Sequence, residues 1–238
     1  ARRASCGVLL SATLASMATA HAASVGGSVS ASTDYVYRGF SQSRGEPVVQ
    51  LDLHADTARW TVGAWASPVQ LLPRRRSTEL NLYGHLRWQL GSDFTLRTGI
   101  THYRYPGDPR PVPYAYTELN AALNWRDRVT AAISWSPKLP LYSPGYNAVY
   151  DHRSWNGELT VTQPLPARLL LHAGVARFSA EGTPSAAYTY GSAGVQRAFG
   201  NHLRADVSWF WSQEPKVGAY AAGLELEHPV VATLSWSF

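Results

Sequence analysis

Residues 78–90 read TELNLYGHLRWQL, and apolar and polar side chains alternate along this segment. Alternation with a period of two predicts a β-strand, because successive side chains of a strand point to opposite faces. The apolar face carries Leu80, Leu82, Leu86, Trp88 and Leu90, and the other face carries Glu79, Asn81, Tyr83, His85, Arg87 and Gln89. The segment therefore predicts a strand with one apolar face and one polar face.

The same alternation recurs along most of the chain. It predicts twelve strands, at about 28–38, 47–57, 59–69, 78–90, 93–105, 113–126, 128–138, 153–164, 167–178, 187–199, 201–213 and 227–238. Most of these segments are close to the roughly 9–11 residues with which a tilted strand crosses a bilayer. Helical periodicity is hard to find after the first segment of the chain.

The connections between the predicted strands alternate in length. Short reversals lie around Ala58, Gly91-Ser92, Asp127, Pro164–Pro166 and Gly200, and longer loops span about 39–46, 71–77, 106–112, 139–152, 179–186 and 214–226. Short turns at one end and long loops at the other are typical of outer-membrane barrels. The sequence thus predicts an all-β, antiparallel transmembrane β-barrel with short periplasmic turns and long extracellular loops. An even number of strands places both ends of the barrel on the periplasmic side.

Aromatic residues cluster near both ends of the predicted strands, where amphipathic rings favour the membrane interface. Trp60, Trp88, Phe94, Trp125, Phe199 and Phe238 lie near the short turns, and Tyr35, Tyr37, Trp135, Trp155, Trp209 and Trp211 lie near the long loops. A soluble lipocalin-like barrel would place its apolar face inside instead. The two aromatic belts and the loop pattern favour an apolar face that points outward into lipid.

Composition excludes several other classes of protein. Charged residues make up 16% of the chain and aromatic residues 12%, which argues against intrinsic disorder. The chain after its first segment contains no apolar run of about 18 residues, so a bundle of transmembrane helices is excluded. Cys6 is the only cysteine, and a disulfide framework is therefore excluded as well.

Residues 1–22 have the pattern of a signal peptide, which leaves residues 23–238 as the barrel domain. Arg2 and Arg3 provide a positive start, residues 8–17 are apolar, and Ala20-His21-Ala22 forms a small-x-small cleavage site. Loss of the two arginines lowers the net charge of +5, and the other basic residues are scattered along the chain. A nucleic-acid partner is therefore not predicted, because such a partner requires basic residues concentrated on one element.

A motif near the first hairpin resembles a known family. Residues 32–43, STDYVYRGFSQS, and 47–50, PVVQ, are similar to the opening of the TorF family of porin-like outer-membrane proteins from proteobacteria. Residues 63–67, 79–84 and 103–106 are similar to later motifs of that family, and the resemblance is tight over about 32–106. Pro68 stands where an Asn is expected, and Asn81 where an Asp is common. The resemblance implies an outer-membrane pore without an assigned substrate.

The C-terminal residues 234–238, LSWSF, are similar to the terminal signature of outer-membrane barrels in general. This similarity implies that the barrel assembly machinery is a partner and that it recognises Phe238. Outer-membrane lipids and lipopolysaccharide are the other expected partners. The run at residues 74–76 (three arginines) either grips lipopolysaccharide phosphates or is a solvated loop.

A barrel of twelve strands lies between filled eight-stranded barrels and open 16- to 18-stranded channels, so we expect a narrow lumen. The charged and titratable candidates for its lining are Asp34, Arg38, Asp52, His54, Glu79, His85, Arg87, Arg97, Glu118, Glu158, Arg168, His172, Arg204 and Asp206. Acids and bases nearly balance, which predicts weak ion selectivity. Alternatively, these side chains pair across the lumen as an internal polar network.

The sequence leaves the roles of two loops open. Asp34 and Arg38 are expected near the outer mouth, where they either fix the first loop or contact a solute. The longest excursion, residues 137–153, either folds inward and constricts the pore or remains an external loop.

The function predicted from these features is passive diffusion of small polar solutes or ions through a porin-like channel in the outer membrane. One alternative is a structural or adhesion barrel with a closed lumen. Enzymatic activity is not predicted, because residues 39–43 do not match a nucleophile elbow and no H-E-x-x-H metal motif is present. No catalytic residue, metal ligand or cofactor is therefore assigned. A lipid hydrolase with Ser and His on neighbouring strands remains a third alternative.

Overall fold

A computed structural model of the chain describes residues 23–72, 75–107, 114–143, 148–182, 187–213 and 229–238. Within these ranges, twelve strands form a closed antiparallel barrel, and two further short strands pair with each other. The strands are β1 (Ser24–Ser32), β2 (Val36–Tyr37), β3 (Phe40–Ser41), β4 (Val48–Asp56), β5 (Trp60–Leu72), β6 (Arg75–Leu90), β7 (Phe94–Arg104), β8 (Tyr116–Trp125), β9 (Val129–Ser143), β10 (Ala148–Leu165), β11 (Leu169–Ala180), β12 (Tyr188–Phe199), β13 (Leu203–Ser212) and β14 (Val230–Ser237). The predicted fold class is confirmed.

The barrel wall closes where β1 pairs with β14 on one side and with β4 on the other. Gly27 and Phe238 exchange two backbone hydrogen bonds of 3.0 Å at this seam. Because a closed sheet has no free edge, every strand finds hydrogen-bond partners on both sides. In the described part of the chain, no helix is long and apolar enough to cross a membrane.

The predicted strands and the observed ones differ mainly in two places. The first strand ends at Ser32 instead of residue 38, because the chain then leaves the wall and turns into the barrel. β9 and β10 extend far into the predicted long loop 139–152, with β9 reaching Ser143 and β10 beginning at Ala148. The predicted signal peptide and the whole of the last predicted long loop, 214–226, lie outside the described residues.

The two faces of the wall differ in polarity as the alternation predicts. Leu119 and Val207 are 47% and 48% exposed on the outer face, whereas Glu79 and Glu118 are 0% and 3% exposed on the inner face. Large apolar side chains such as Leu51, Leu159 and Leu234 lie exposed on this outer face. The predicted short-turn belt is also on the outer surface, and its exposed members are Trp60, Trp88, Phe94, Trp125, Phe199 and Phe238.

Tight turns join the strands at one end of the barrel, which we call the short-turn end; the opposite end is the long-loop end. Arg126 and Asp127 have φ angles of 51° and 52°, and Ala167 and Arg168 have 60° and 57°. Two consecutive positive φ angles match the twist of a two-residue hairpin turn. Arg168 therefore lies in a turn and donates to the Gly200 carbonyl oxygen at 3.1 Å. The prediction that Arg168 lies on the inner face of a strand is wrong.

Candidate functional site

The first loop, residues 33–47, folds into the lumen as a small hairpin of β2 and β3. Arg38 and Gly39 form its turn, with φ angles of 51° and 79°. A Cβ atom on Gly39 would lie 2.7 Å from the Cβ atoms of both Tyr190 on β12 and Ser212 on β13. Glycine is required here because the turn needs a left-handed backbone and because the tip touches the wall. Residues 36–41 are called the first-loop hairpin below.

Asp34 organises the base of this loop. Its Oδ1 atom accepts hydrogen bonds from the hydroxyls of Ser41 and Ser43 at 2.7 and 2.6 Å. The Ser32 hydroxyl donates to the Asp34 carbonyl oxygen at 2.7 Å. Asp34 was expected either to fix the first loop or to contact a solute. Because Asp34 is buried and bonds to the loop serines, its contacts correspond to fixing the loop. The same contacts explain the serines of the motif at residues 32–43.

Arg38 at the hairpin tip forms a bidentate ion pair with Glu118 on β8. Its two terminal nitrogens donate to the two carboxylate oxygens at 2.8 and 2.9 Å. The Tyr103 hydroxyl donates to Glu118 Oε2 at 3.2 Å. The guanidinium also lies over the Tyr37 ring, with 4.9 Å to its centroid, and 5.7 Å from the centre of the Phe178 ring. Paired donors and acceptors in a buried place make this a strong and directional contact.

An apolar cluster surrounds the hairpin inside the long-loop half of the barrel. Its buried members are Phe40, Val69, Tyr103, Tyr105, Tyr116, Leu139, Leu141, Phe178, Ala180 and Tyr188. Tyr103 and Tyr116 stack with ring centroids 4.4 Å apart. Tyr35 and Tyr37 pack against this cluster, so their predicted place in the long-loop aromatic belt is wrong. The hairpin thus docks on a hydrophobic core that occupies part of the lumen.

Glu79 is buried beside this core. Its Oε1 atom accepts from the Asn81 amide at 2.8 Å, and its Oε2 atom accepts from the Tyr35 hydroxyl at 3.2 Å. The Asn81 amide can donate to this carboxylate, which the carboxylate of an Asp cannot do. Asn81 therefore provides a hydrogen-bond donor to a buried acid.

Below the hairpin tip lies a central cavity of about 400 Å³. Arg38 and Glu118 line its upper end, and Glu158, His85, Arg97 and Asn156 line the remainder. A second cavity of about 310 Å³ lies at the short-turn end. Its polar lining includes Asp52, His54, Tyr83 and Arg87, while His85 and Arg97 line both cavities. The two cavities therefore follow one another along the barrel axis.

Several of the predicted lining residues pair with one another. Asp52 contacts His54 Nδ1 at 2.6 Å and accepts from the Tyr83 hydroxyl at 2.6 Å. His172 Nε2 on β11 lies 2.8 Å from Asp206 on β13, two strands along the wall. Arg204 lies on the same face of β13 as Asp206 and is exposed. Some of the predicted lining residues thus form an internal polar network, as one of the two alternatives predicts. Others have side chains that face open space in the lumen.

The structure brings Ser208, His172 and Asp206 together, as the hydrolase alternative would require. However, the Ser208 hydroxyl donates to Asp206 Oδ1 at 2.5 Å, and His172 contacts the same carboxylate. A serine nucleophile needs a histidine within hydrogen-bond reach to accept its proton, and no Ser208–His172 bond is formed. Over the described ranges, no group of three or more His, Cys, Asp or Glu side chains could hold a metal ion.

The longest excursion does not form the constriction in its described part. Residues 137–143 and 148–153 continue the strands β9 and β10, and these paired segments extend the wall. Leu139 and Leu141 nevertheless contribute to the apolar cluster. The inward element is the first loop instead, which the sequence reasoning missed. The signal was the motif at residues 32–43, whose Asp and serines form the base of the loop.

The barrel is similar to solved porin structures. It superposes on the NanC porin in a rhombohedral crystal form with a TM-score of 0.56 and 10% identity, covering 90% of this chain and 99% of that one. A structure from work on the in-meso crystallization of membrane proteins gives a TM-score of 0.53 and 10% identity, covering 90% and 83%. At this identity the similarity shows the fold alone.

No curated protein matches the sequence. A family model matches residues 16–238, which is nearly the whole chain, and its family is known as Gcw_chp, bacterial protein of unknown function. The match includes the motif that forms the first loop as well as the strands of the wall. The chain belongs to the Gcw_chp family.

Proposed function

We propose that this chain is a channel in the outer membrane of a Gram-negative bacterium and that it passes small polar solutes or ions by diffusion. The observation that carries this proposal is the pair of polar cavities in series inside a barrel with an apolar outer face. A closed sheet with lipid-facing apolar side chains is one of the two structures that can span a bilayer. The short-turn end would then face the periplasm.

The apolar outer face supports membrane insertion. Val175 lies near the middle of β11 and is 46% exposed on this face. Replacing it in the variant Val175→Arg would place a charge near the middle of the bilayer, at a cost of about 2–4 kcal/mol. We expect a large decrease in the fraction of protein that folds into phospholipid vesicles, measured by heat-modifiable migration on gels.

A matched control is Gln196→Arg, which adds the same charge to the inner face of the neighbouring strand. Gln196 lies opposite Asp206 there, and the new arginine would gain a counter-charge. This variant should fold as the unchanged protein does. Equal folding of Val175→Arg and the unchanged protein would contradict the membrane placement.

Conduction is tested by single-channel recording in planar bilayers. The refolded protein should give discrete and small current steps in potassium chloride, because the hairpin and the apolar cluster narrow the lumen. The readout is the step size relative to a bilayer that received detergent alone. Correctly folded protein without any steps would contradict the channel proposal.

The apolar cluster favours a second candidate, a structural or adhesion barrel whose lumen is closed. Phe40 and Tyr188 pack at 5.0 Å between ring centroids in the interior of the long-loop half. A barrel that is filled in this way would expose its loops as the working surface. The same recordings separate the two candidates, since a closed barrel gives no steps. Absence of turnover of phospholipid by the same preparation would count against the hydrolase alternative.

The proposed partners follow from the same placement. Lipids and lipopolysaccharide would contact the apolar outer face, and the barrel assembly machinery would recognise the C-terminal strand. Phe238 exposes about half of its surface at the short-turn end and packs 5.1 Å from the Trp236 ring. An exposed aromatic residue at the seam of the barrel is accessible to such a partner.

A further inference from the structure

The geometry points to a binding site for small oxyanions in the cavity at the short-turn end, with Arg87 and Arg97 as its ligands. This inference rests on the proposed function and adds the class of solute to it. That class is a small molecule that carries a carboxylate or a phosphate. Arg87 on β6 and Arg97 on β7 are directly paired across the two strands. Both line the same cavity, and Arg97 also lines the central one.

The pairing of these two arginines requires an explanation. Like charges directly opposite each other on neighbouring strands destabilise a sheet. Neither guanidinium has an ion-pair partner within 4.0 Å among the residues that the structure describes, and Arg59 brings a third positive charge to the same cavity. The backbone N–H of Arg87 donates to the Arg59 carbonyl oxygen at 2.8 Å, so the main chains of Arg59 and Arg87 are adjacent. A bound anion would compensate this concentration of positive charge.

The acids of the same cavity have other partners. Asp52 accepts from the Tyr83 hydroxyl and contacts His54, and Asp56 accepts from the Ser24 hydroxyl at 2.6 Å. His54 Nε2 also lies 4.0 Å from Asp56. Asp52 and Asp56 therefore contact side chains on β1, β4 and β6 and do not pair with the arginines. The guanidinium donors remain available to a ligand.

The chemistry of two guanidinium groups defines the ligand. Each group is planar, is always charged and carries donors in a fork that matches two oxygen atoms of a carboxylate or a phosphate. A cavity of about 310 Å³ admits a small molecule. The three arginines outnumber the two aspartates on the wall of this cavity, and an excess of positive charge in a confined space raises the local concentration of anions. An anion held here would lie at the entrance to the central cavity.

Binding is tested by isothermal titration calorimetry on the full barrel refolded in detergent at low ionic strength. The two probes are inorganic phosphate and malonate, which separate phosphate recognition from carboxylate recognition. We expect at least one probe to bind and the double variant Arg87→Gln/Arg97→Gln to bind it about tenfold more weakly or not at all, since each lost fork removes charge-assisted hydrogen bonds. The matched control, Arg177→Gln/Arg197→Gln, removes two arginines from the outer face and should bind as the unchanged protein does.

A second measurement separates this inference from the proposed function. In a potassium chloride gradient, the reversal potential of the unchanged channel should show preference for the anion, and Arg87→Gln/Arg97→Gln should lose it. Binding without conduction would support the anion site and contradict the channel. Conduction without binding of either probe, or equal binding by the double variant, would overturn the anion site.

Discussion

Replacing residues 36–41 with two glycines is expected to increase the single-channel conductance several-fold. These residues form the hairpin that crosses the lumen, and its tip contacts Glu118 on one wall and Tyr190 on another. Conductance increases with the open cross-section, and a twelve-stranded barrel without its inward loop approaches the width of barrels with aqueous channels. Planar-bilayer recording of the two proteins under the same salt conditions measures the change.

The control for this experiment is Glu46→Gln in the same loop. The Glu46 side chain is exposed, and the contacts of Glu46 with the loop are made by its backbone: its carbonyl oxygen accepts from the Ser43 hydroxyl and its N–H donates to the Ser43 carbonyl oxygen. Its conductance should equal that of the unchanged protein. A folded deletion variant with unchanged current steps would show that the hairpin does not limit the flow, and the apolar cluster alone would then be the barrier.

The second large effect is expected for Glu118→Ala. This variant should lower the free energy of unfolding by about 3–5 kcal/mol, because that is the usual cost of leaving one partner of a buried ion pair without its counter-charge. Arg38 would lose both carboxylate acceptors, and Tyr103 would lose its own acceptor. Urea unfolding in detergent, followed by tryptophan fluorescence, measures this free energy.

Two comparisons make this result specific. The double variant Arg38→Ala/Glu118→Ala removes both charges and should be more stable than Glu118→Ala alone, since no unpaired charge stays buried. Glu158→Ala removes an exposed acid from the central cavity, which Glu118 also lines. The Glu158 carboxylate accepts from the Thr160 hydroxyl at 3.5 Å, and its loss should change the free energy of unfolding by no more than about 0.5 kcal/mol. If Glu118→Ala were as stable as Glu158→Ala, the ion pair would not hold the hairpin.

The barrel wall was predictable because its rules are local. Alternation along residues 78–90 identifies the two faces of β6 without knowledge of any neighbour, and short turns such as Arg126-Asp127 mark one end of the strands. The aromatic residues at the short turns follow from the same local reasoning. Strand boundaries shifted by a few residues except at the end of the first strand and where β9 and β10 continue into the predicted long loop.

The interior was less predictable, because it depends on contacts between distant residues. Tyr35, Val36 and Tyr37 alternate like a wall strand, and no local pattern distinguishes a strand in the wall from one inside it. The contact that decides the matter is that of Gly39 with Tyr190 and Ser212, which follow it in the chain by 151 and 173 residues. The pairing of Arg87 with Arg97 likewise required the register of two strands. Sequence reasoning placed the individual charges but not their partners.

Tyrosines on the inner faces of the strands were an overlooked signal. Near the long loops, Tyr103, Tyr116 and Tyr188 occupy strand positions that alternate with the apolar outer ones and so belong to the inner face. Aromatic side chains at inner positions indicate that this half of the lumen is packed with side chains and is not lined by water. The same residues then provide the surface on which the first loop docks.

The ion pair at the hairpin tip also bears on the mechanics of the barrel. β2 and β3 are continuous with β1 and β4, yet Arg38 is fixed to β8 across the interior. The hairpin therefore ties the part of the wall formed by β1 and β4 to β8, which lies four strands from β4 around the barrel. In the proposed bilayer placement, lateral pressure on the wall would therefore be transmitted through this ion pair to the first-loop hairpin.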